Sequence, residues 1–287
     1  MAESLSHKWG QVIGDILEES IRHRMERVAK DNELYLDFKK QRAARPGKKV
    51  SWQDRYGNTH DLDYVLERGG TESARGKPAA FIETAWRRYT KHSRNKVQEI
   101  EGAIVPLADT YGHFHPFLGV FLAGVFTQSS LRQLKSRGFS VLFIPYESVV
   151  RAFAKVRVNA EYDEKTPERE FRKKIEKWES LSRAQIDTVA GELLALHETD
   201  VRAFFASLSR SLRRKVQAVT VSVLHGSPRA VPSVVRAIAY IESHRIASLN
   251  SLQVSRLEID IRYTNGDVIH ASFQNKVEAI QFLRTFA

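Results

Sequence analysis

Cysteine is absent from the 287-residue chain. That excludes a disulfide scaffold, a thiolate zinc site and a cysteine nucleophile, and it fits a reducing, cytoplasmic setting. Proline and glycine are scarce, at 8 and 15 residues, while 42% of residues are hydrophobic, so the chain is neither fibrous nor disordered. Long apolar runs are missing too. The longest, Pro116 to Phe126, is about 11 residues against the roughly 20 that span a bilayer, so it reads as a buried strand and no membrane partner is expected. The opening MAESLSHKWGQVIGDILEES has no apolar core and carries acids early, unlike a secretory signal. Acids as a whole are in deficit, 34 against 45 Lys and Arg, for a net charge of +11. Such a surplus makes a polyanion the expected partner.

The surplus is local. Between Arg87 and Lys96 lie five cations and no acid, and between Val201 and Arg245 eight cations and one acid, Glu242. Two basic surfaces are expected, one in each half. The first carries Arg87, Arg88, Lys91 and Arg94 interleaved with Trp86 and Tyr89, as phosphate-binding surfaces do. The second centres on Arg213, Arg214 and Lys215.

Hydrophobic periodicity orders the elements. Trp9, Ile13, Ile16, Leu17 and Ile21 recur at helical spacing, and further helical turns are read through Leu34 and Phe38. Val50–Gln53 and Leu62–Leu66 alternate around Arg55-Tyr-Gly-Asn58, which is hairpin chemistry. Ala79–Trp86 is a third strand. A helix over His92–Val105 is expected to start on Ser93 and stop at Pro106. Phe117–Phe126 and Phe139–Ile144 are strands, with a short helix over Ser129–Arg137 between them. The early strands suit antiparallel pairing, and the later ones need helical crossovers and so run parallel.

The expected fold is an α/β core with a mixed central sheet flanked by helices, over residues 1–160. A mainly helical region over 161–287 follows, ending in a β-hairpin around Thr264-Asn-Gly-Asp267 and a final helix.

Two acids stand out, Asp63 after Asp61-Leu62 and Glu83 in Phe81-Ile-Glu83. If the intervening loop closes about Ser73, residues whose numbers sum to 146 face each other, and Asp63 stands opposite Glu83. Facing residues of an antiparallel pair have Cβ atoms about 4.5–5.5 Å apart. Two carboxylates so close repel unless a cation sits between them, and hard oxygen donors suit Mg²⁺. Two solvent-facing acids on a slipped register would be the structural alternative.

An acid on one strand, a second acid on the next and then a basic helix resembles the PD-(D/E)XK nuclease superfamily, the restriction-endonuclease-like fold. The order of elements over about residues 9–145 is similar to that fold's core. The resemblance implies a Mg²⁺-dependent DNA endonuclease of the restriction-enzyme kind, with Mn²⁺ an alternative ion. Its substrate would be double-stranded DNA and its usual assembly a homodimer. It assigns Asp63 and Glu83 to the metal. The superfamily's lysine is missing, for Ala85 stands two residues after Glu83, and Leu62 replaces the proline before the first acid. Arg87, Lys91 and Lys96 are candidates for the lysine's role, with Lys96 preferred because the first helical turn can point it back at the sheet. Glu99 is a candidate extra ligand or base, and Glu19 in the first helix a candidate third metal ligand. If nothing replaces the lysine, the protein is an inactive nuclease-like DNA binder. An RNA-directed nuclease is a third reading.

Overall fold

The computed structural model describes residues 4–223, 227–243 and 256–286. Expectations touching Leu224, Arg245, residues 253–255 and Ala287 lie outside them. The chain divides into two units, Met1–Leu212 and Arg213–Ala287.

The first unit opens with α1 (Leu5–Asp31), capped by the Ser4 side chain. Then come β1 (Leu34–Phe38), β2 (Val50–Gln53), β3 (Thr59–Leu62), β4 (Tyr64–Arg68) and β5 (Lys77–Arg87). Helix α2 (Thr90–Thr110) and a 3₁₀ turn (Gly112–Phe114) lead to β6 (Phe117–Gly124), α3 (Gln128–Ser136) and β7 (Ser140–Pro145). Four helices complete the unit: α4 (Tyr146–Ala154), α5 (Glu168–Glu179), α6 (Arg183–Ala195) and α7 (Glu198–Leu212).

Its sheet is mixed, in the order β1-β4-β5-β6-β7. β1, β4 and β5 pair antiparallel, and β5, β6 and β7 run parallel, as the connection lengths require. Side chains alternate across β5. Ala80, Ile82 and Trp86 enter one core with α1 and α4–α7, while Phe81 and Ala85 enter a second with α2, α3 and the β2–β3 hairpin. The sheet is thus buried on both faces, which accounts for the nearly unbroken apolar run of β6. Gly124, at φ +106°, ends that strand. A Cβ there would lie 2.0 Å from the Arg87 carbonyl oxygen, so only glycine lets the ends of β5 and β6 close up.

Several expectations are corrected. Leu34–Phe38 is a strand, not helix, because Leu34 and Leu36 bury beside β4 in period two. Helix α2 begins at Thr90, before Ser93, which is buried and donates to the Thr90 carbonyl. It also runs past Pro106. The missing N–H forfeits one helical bond, but Ile104 and Leu107 on either side are fully buried and hold the helix on course. Helix α4 was not expected. The unit boundary falls after Leu212 rather than at 160, because Phe171, Ile175, Val189, Leu193, Phe204 and Leu208 of α5–α7 bury in the same core as Trp9 and Ile13 of α1.

A buried ionic knot fixes the loops on the outer side of β1 and β4. Arg42 binds Asp37 at 2.8 Å and Glu67 at 2.6 Å, Arg45 binds Asp37 at 3.0 Å, and all four side chains are 0–1% exposed. Arg42 also donates to the carbonyls of Thr71 and Ala74, and Glu67 accepts from the Gly76 amide. Each charge therefore has several partners, the condition for burying it.

Over residues 161–287 the described residues are mainly helical, and within that span the second unit sets two helices against a four-stranded sheet. It contains β8 (Val216–Val223), β9 (Arg229–Val231), α8 (Val234–Ser243), β10 (Leu257–Tyr263), β11 (Val268–Phe273) and α9 (Lys276–Arg284). The strands are antiparallel in the order β11-β10-β8-β9. Ala237, Ile241, Ala279 and Leu283 of the helices bury against Val219, Val221, Ile259 and Ile261. The hairpin turns at Thr264–Asp267 as its Asn-Gly pair predicts, with Gly266 at φ +93°. Among the described residues, no helix is long and apolar enough to cross a membrane.

Candidate functional site

The strand register brings the two acids together. Tyr64 faces Ile82, Val65 faces Phe81 and Leu66 faces Ala80, each pair summing to 146, and the next step along the ladder is Asp63 opposite Glu83. Asp63 itself sits in the bend between β3 and β4. Its Oδ2 accepts from both the amide and the hydroxyl of Thr84, each at 2.7 Å, and this fixes the carboxylate against β5.

Glu83 is on the α2 side of the sheet with its side chain 13% exposed. Lys96, in the second turn of α2, places Nζ 3.1 Å from Glu83 Oε1. A lysine therefore reaches the second acid from the helix, although Ala85 on the strand is apolar and buried. The other oxygen, Glu83 Oε2, is buried and has no hydrogen-bond partner. Burial, with the neighbouring Asp63 charge adding to it and Lys96 opposing, pushes the Glu83 carboxyl up to about 7. Glu18 on α1 faces the same place. Burial and Asp63 together lift it to about 7 as well, and its backbone carbonyl accepts from the Tyr64 hydroxyl at 2.8 Å. Two carboxyls, Glu83 and Glu18, pushed toward their neutral forms beside the Asp63 carboxylate describe a place that favours positive charge.

Glu19 does not join them. It pairs with Arg183 and Arg22. One helical residue is a rotation of about 100°, so Glu18 and Glu19 flank the buried stripe of α1 on opposite sides, and only Glu18 faces the sheet edge that carries Asp63. Glu99 is exposed, 3.7 Å from Lys96 and 3.8 Å from an Arg87 nitrogen. Lys91 and Arg94 are exposed on α2 outside the cleft. Arg88 is engaged structurally, stacking 3.9 Å from the Tyr146 ring and donating to the Tyr162 carbonyl at 2.8 Å. In the second unit, Arg214 lies 5.0 Å from the Tyr263 ring and 3.6 Å from Asp267, so it braces the hairpin turn. Arg213 and Lys215 beside it are exposed.

The carboxylates line a cleft of 960 Å³ within the first unit. Its walls are the N-terminal half of α1, the end of β5, the start of α2 and the segment 162–171. Seven acids line it (Asp15, Glu18, Asp63, Glu83, Asp163, Glu164 and Glu168) against three permanent cations, Arg87, Arg88 and Lys96. The surplus of charge over the whole chain is thus inverted here. Gly10 and Gly14 of α1 also line the cleft, and a Cβ at either would meet nothing within 4 Å. Glycine inside a helix costs about 1 kcal/mol relative to alanine, and no packing requirement accounts for it at these two positions.

The donor set fits a hard divalent cation. It offers carboxylate oxygens, one of them buried and otherwise unpartnered, in a net-negative cleft. Among the described residues no three His, Asp or Glu side chains form a closed cage, and Mg²⁺ needs none, since it is commonly held by one or two carboxylates and keeps several waters.

No family model and no curated protein matches the chain. It is similar to a solved chain described as a protein of unknown function, AF1548, at 12% identity over 64% of this chain and 99% of that one, with a TM-score of 0.27, too low to define a shared fold.

Proposed function

We propose that the protein is a divalent-metal-dependent nuclease that hydrolyses phosphodiester bonds in DNA, built on a core of the PD-(D/E)XK kind. The observation that carries this reading is Glu83, whose carboxylate has one oxygen on Lys96 and the other buried and bare beside Asp63. An inactive DNA binder has no use for a partly buried acid pair with a lysine drawn onto it. The two features that depart from the superfamily pattern are the lysine's position and the leucine before Asp63. Lys96 removes the first as an obstacle, because it brings an ammonium to the second acid from another element.

Asp63 and Glu83 would hold the ion, with Glu18 beside them. When bound, Mg²⁺ or Mn²⁺ supplies an activated water and neutralises charge growing on the phosphate. The chain's own groups do the rest. Thr84 orients Asp63 through two hydrogen bonds. Lys96 holds positive charge where the reacting phosphate gains negative charge, and its contact with Glu83 fixes the ammonium. Arg87, half-buried at the end of β5, is placed to meet an adjacent phosphate.

Incubation with Mg²⁺ or Mn²⁺ and, in parallel, plasmid DNA and circular single-stranded DNA tests the reading. Cleavage of at least one of the two is expected in the wild type and of neither in Asp63→Ala and Glu83→Ala, with DNA binding retained in both. Full activity in either variant overturns the site.

A further inference from the structure

The cleft selects among forms of DNA. We infer that its substrate is an unpaired DNA strand, threaded singly between α1 and the end of β5, rather than the flank of an intact duplex; this rests on the nuclease reading.

Three observations carry it. The first is depth. The paired acid and its lysine are 13% and 17% exposed, at the floor of a cleft of 960 Å³. That volume is at the upper end of the ~300–1,000 Å³ of sites that enclose one small molecule. A duplex presents its phosphates on a convex surface with paired bases behind them and meets such a cleft only at its mouth, whereas a single strand bends and enters base by base.

The second is the shape of the wall. Gly10 and Gly14 leave the α1 backbone bare over a turn of helix, with open space where a side chain would stand. A flat base or sugar can lie directly against it. On the facing rim, the Tyr89 and His92 rings lie 6.3 Å apart, and the Arg88 guanidinium lies 5.2 Å from Tyr89. His92 is exposed and Tyr89 half-buried, and aromatic side chains lining a groove stack bases without regard to sequence.

The third is charge. With seven acids and three cations on its lining, the cleft repels a polyphosphate surface and tolerates few phosphates, those beside Arg87 and Lys96. A single strand can meet that condition by placing neutral bases along the acidic wall and one or two phosphates at the cations. Two backbones of a duplex cannot.

The test measures binding and cutting separately on the full chain. Binding is read by fluorescence anisotropy on the Glu83→Gln variant with a labelled oligonucleotide, single-stranded and annealed to its complement. Single-stranded DNA is expected to bind at least tenfold more tightly. Gly14→Leu, which keeps a good helix former and fills the cleft, is expected to remove most of that preference. Equal affinity for the two forms, or an unchanged preference in Gly14→Leu that still folds by circular dichroism, overturns the inference. Cutting is read on the wild type with Mg²⁺ using a duplex bearing a single-stranded tail, and cleavage is expected in the tail. Cleavage confined to the duplex overturns the inference and leaves the nuclease reading standing. Preferential single-strand binding with no cleavage of any DNA overturns the nuclease reading instead.

Discussion

Replacing Glu83 by glutamine is expected to stabilise the protein, by an amount that grows as pH rises from about 4.5 and levels off above about 7. In the folded chain the Glu83 carboxyl is lifted from 4.5 to about 7. The folded state therefore keeps a proton that the unfolded chain has already released, and stability falls as pH rises through that window. The loss starts near 4.5 and is complete a little above 7. A displacement of that size corresponds to about 3 kcal/mol. Glutamine has the shape of the neutral acid and cannot ionise. At about pH 4 the two proteins should unfold nearly alike. At about pH 8 the variant should be more stable by up to ~3 kcal/mol, which for a unit of this size is about 6–12 °C in the unfolding midpoint. The assay is thermal unfolding followed by calorimetry in EDTA across that range, reading the transition of the first unit. Mg²⁺ added at about pH 8 should stabilise the wild type more than the variant, because only the ionised pair attracts it. Parallel pH profiles for the two proteins, or a variant less stable than wild type at about pH 8, would refute the argument that Glu83 is held in the folded state against its own charge.

Lys96→Met keeps the aliphatic stem and removes the ammonium. Cleavage should fall by about 10²-fold or more, and the pH dependence should move upward because Lys96 is the group that lowers the Glu83 carboxyl. Glu18→Ala should weaken Mg²⁺ binding in a calorimetric titration. Glu19→Ala should leave Mg²⁺ binding unchanged and cost less than about 1 kcal/mol, the worth of a surface pair with Arg183. Arg42→Met should leave Glu67 a buried charge without a cation, while Asp37 keeps Arg45, and destabilise the first unit by about 3–5 kcal/mol in urea unfolding.

The strand pattern made the acid pair legible before any coordinates. Period-two alternation locates β4 and β5, and the register expected from a loop about Ser73 holds from Tyr64 to Leu66, beyond a shift at Leu66/Glu67 that the sequence did not show. Lys96 was legible as well, because a helix that follows a strand packs back across it. Glu18 was not, since choosing it over Glu19 requires knowing which flank of α1 meets the sheet edge, a tertiary fact. The strand at Leu34–Phe38 was obscured because Leu-Tyr-Leu-Asp-Phe suits either period over so short a run. The division after Leu212 was hidden for a related reason. Helices α5 and α6 carry charged exposed faces that look like a separate region, and only their packing on α1 shows them to be part of the first core. The glycines lining the cleft were unreadable, since their meaning lies in the space beside them.

A lysine on a strand is as rigid as its sheet, but one on a helix inherits the local stability of that helix. Tyr89 gives α2 no side-chain cap, and the first turn has no acid, so Lys91, Arg94 and Lys96 crowd the positive end of its dipole. Opening the first two turns would withdraw Lys96 while Asp63 and Glu83 stayed in place on the sheet. On the proposed function, ion binding and phosphate chemistry would be governed by two different folding equilibria, and amide exchange at the start of α2 would report on the second alone.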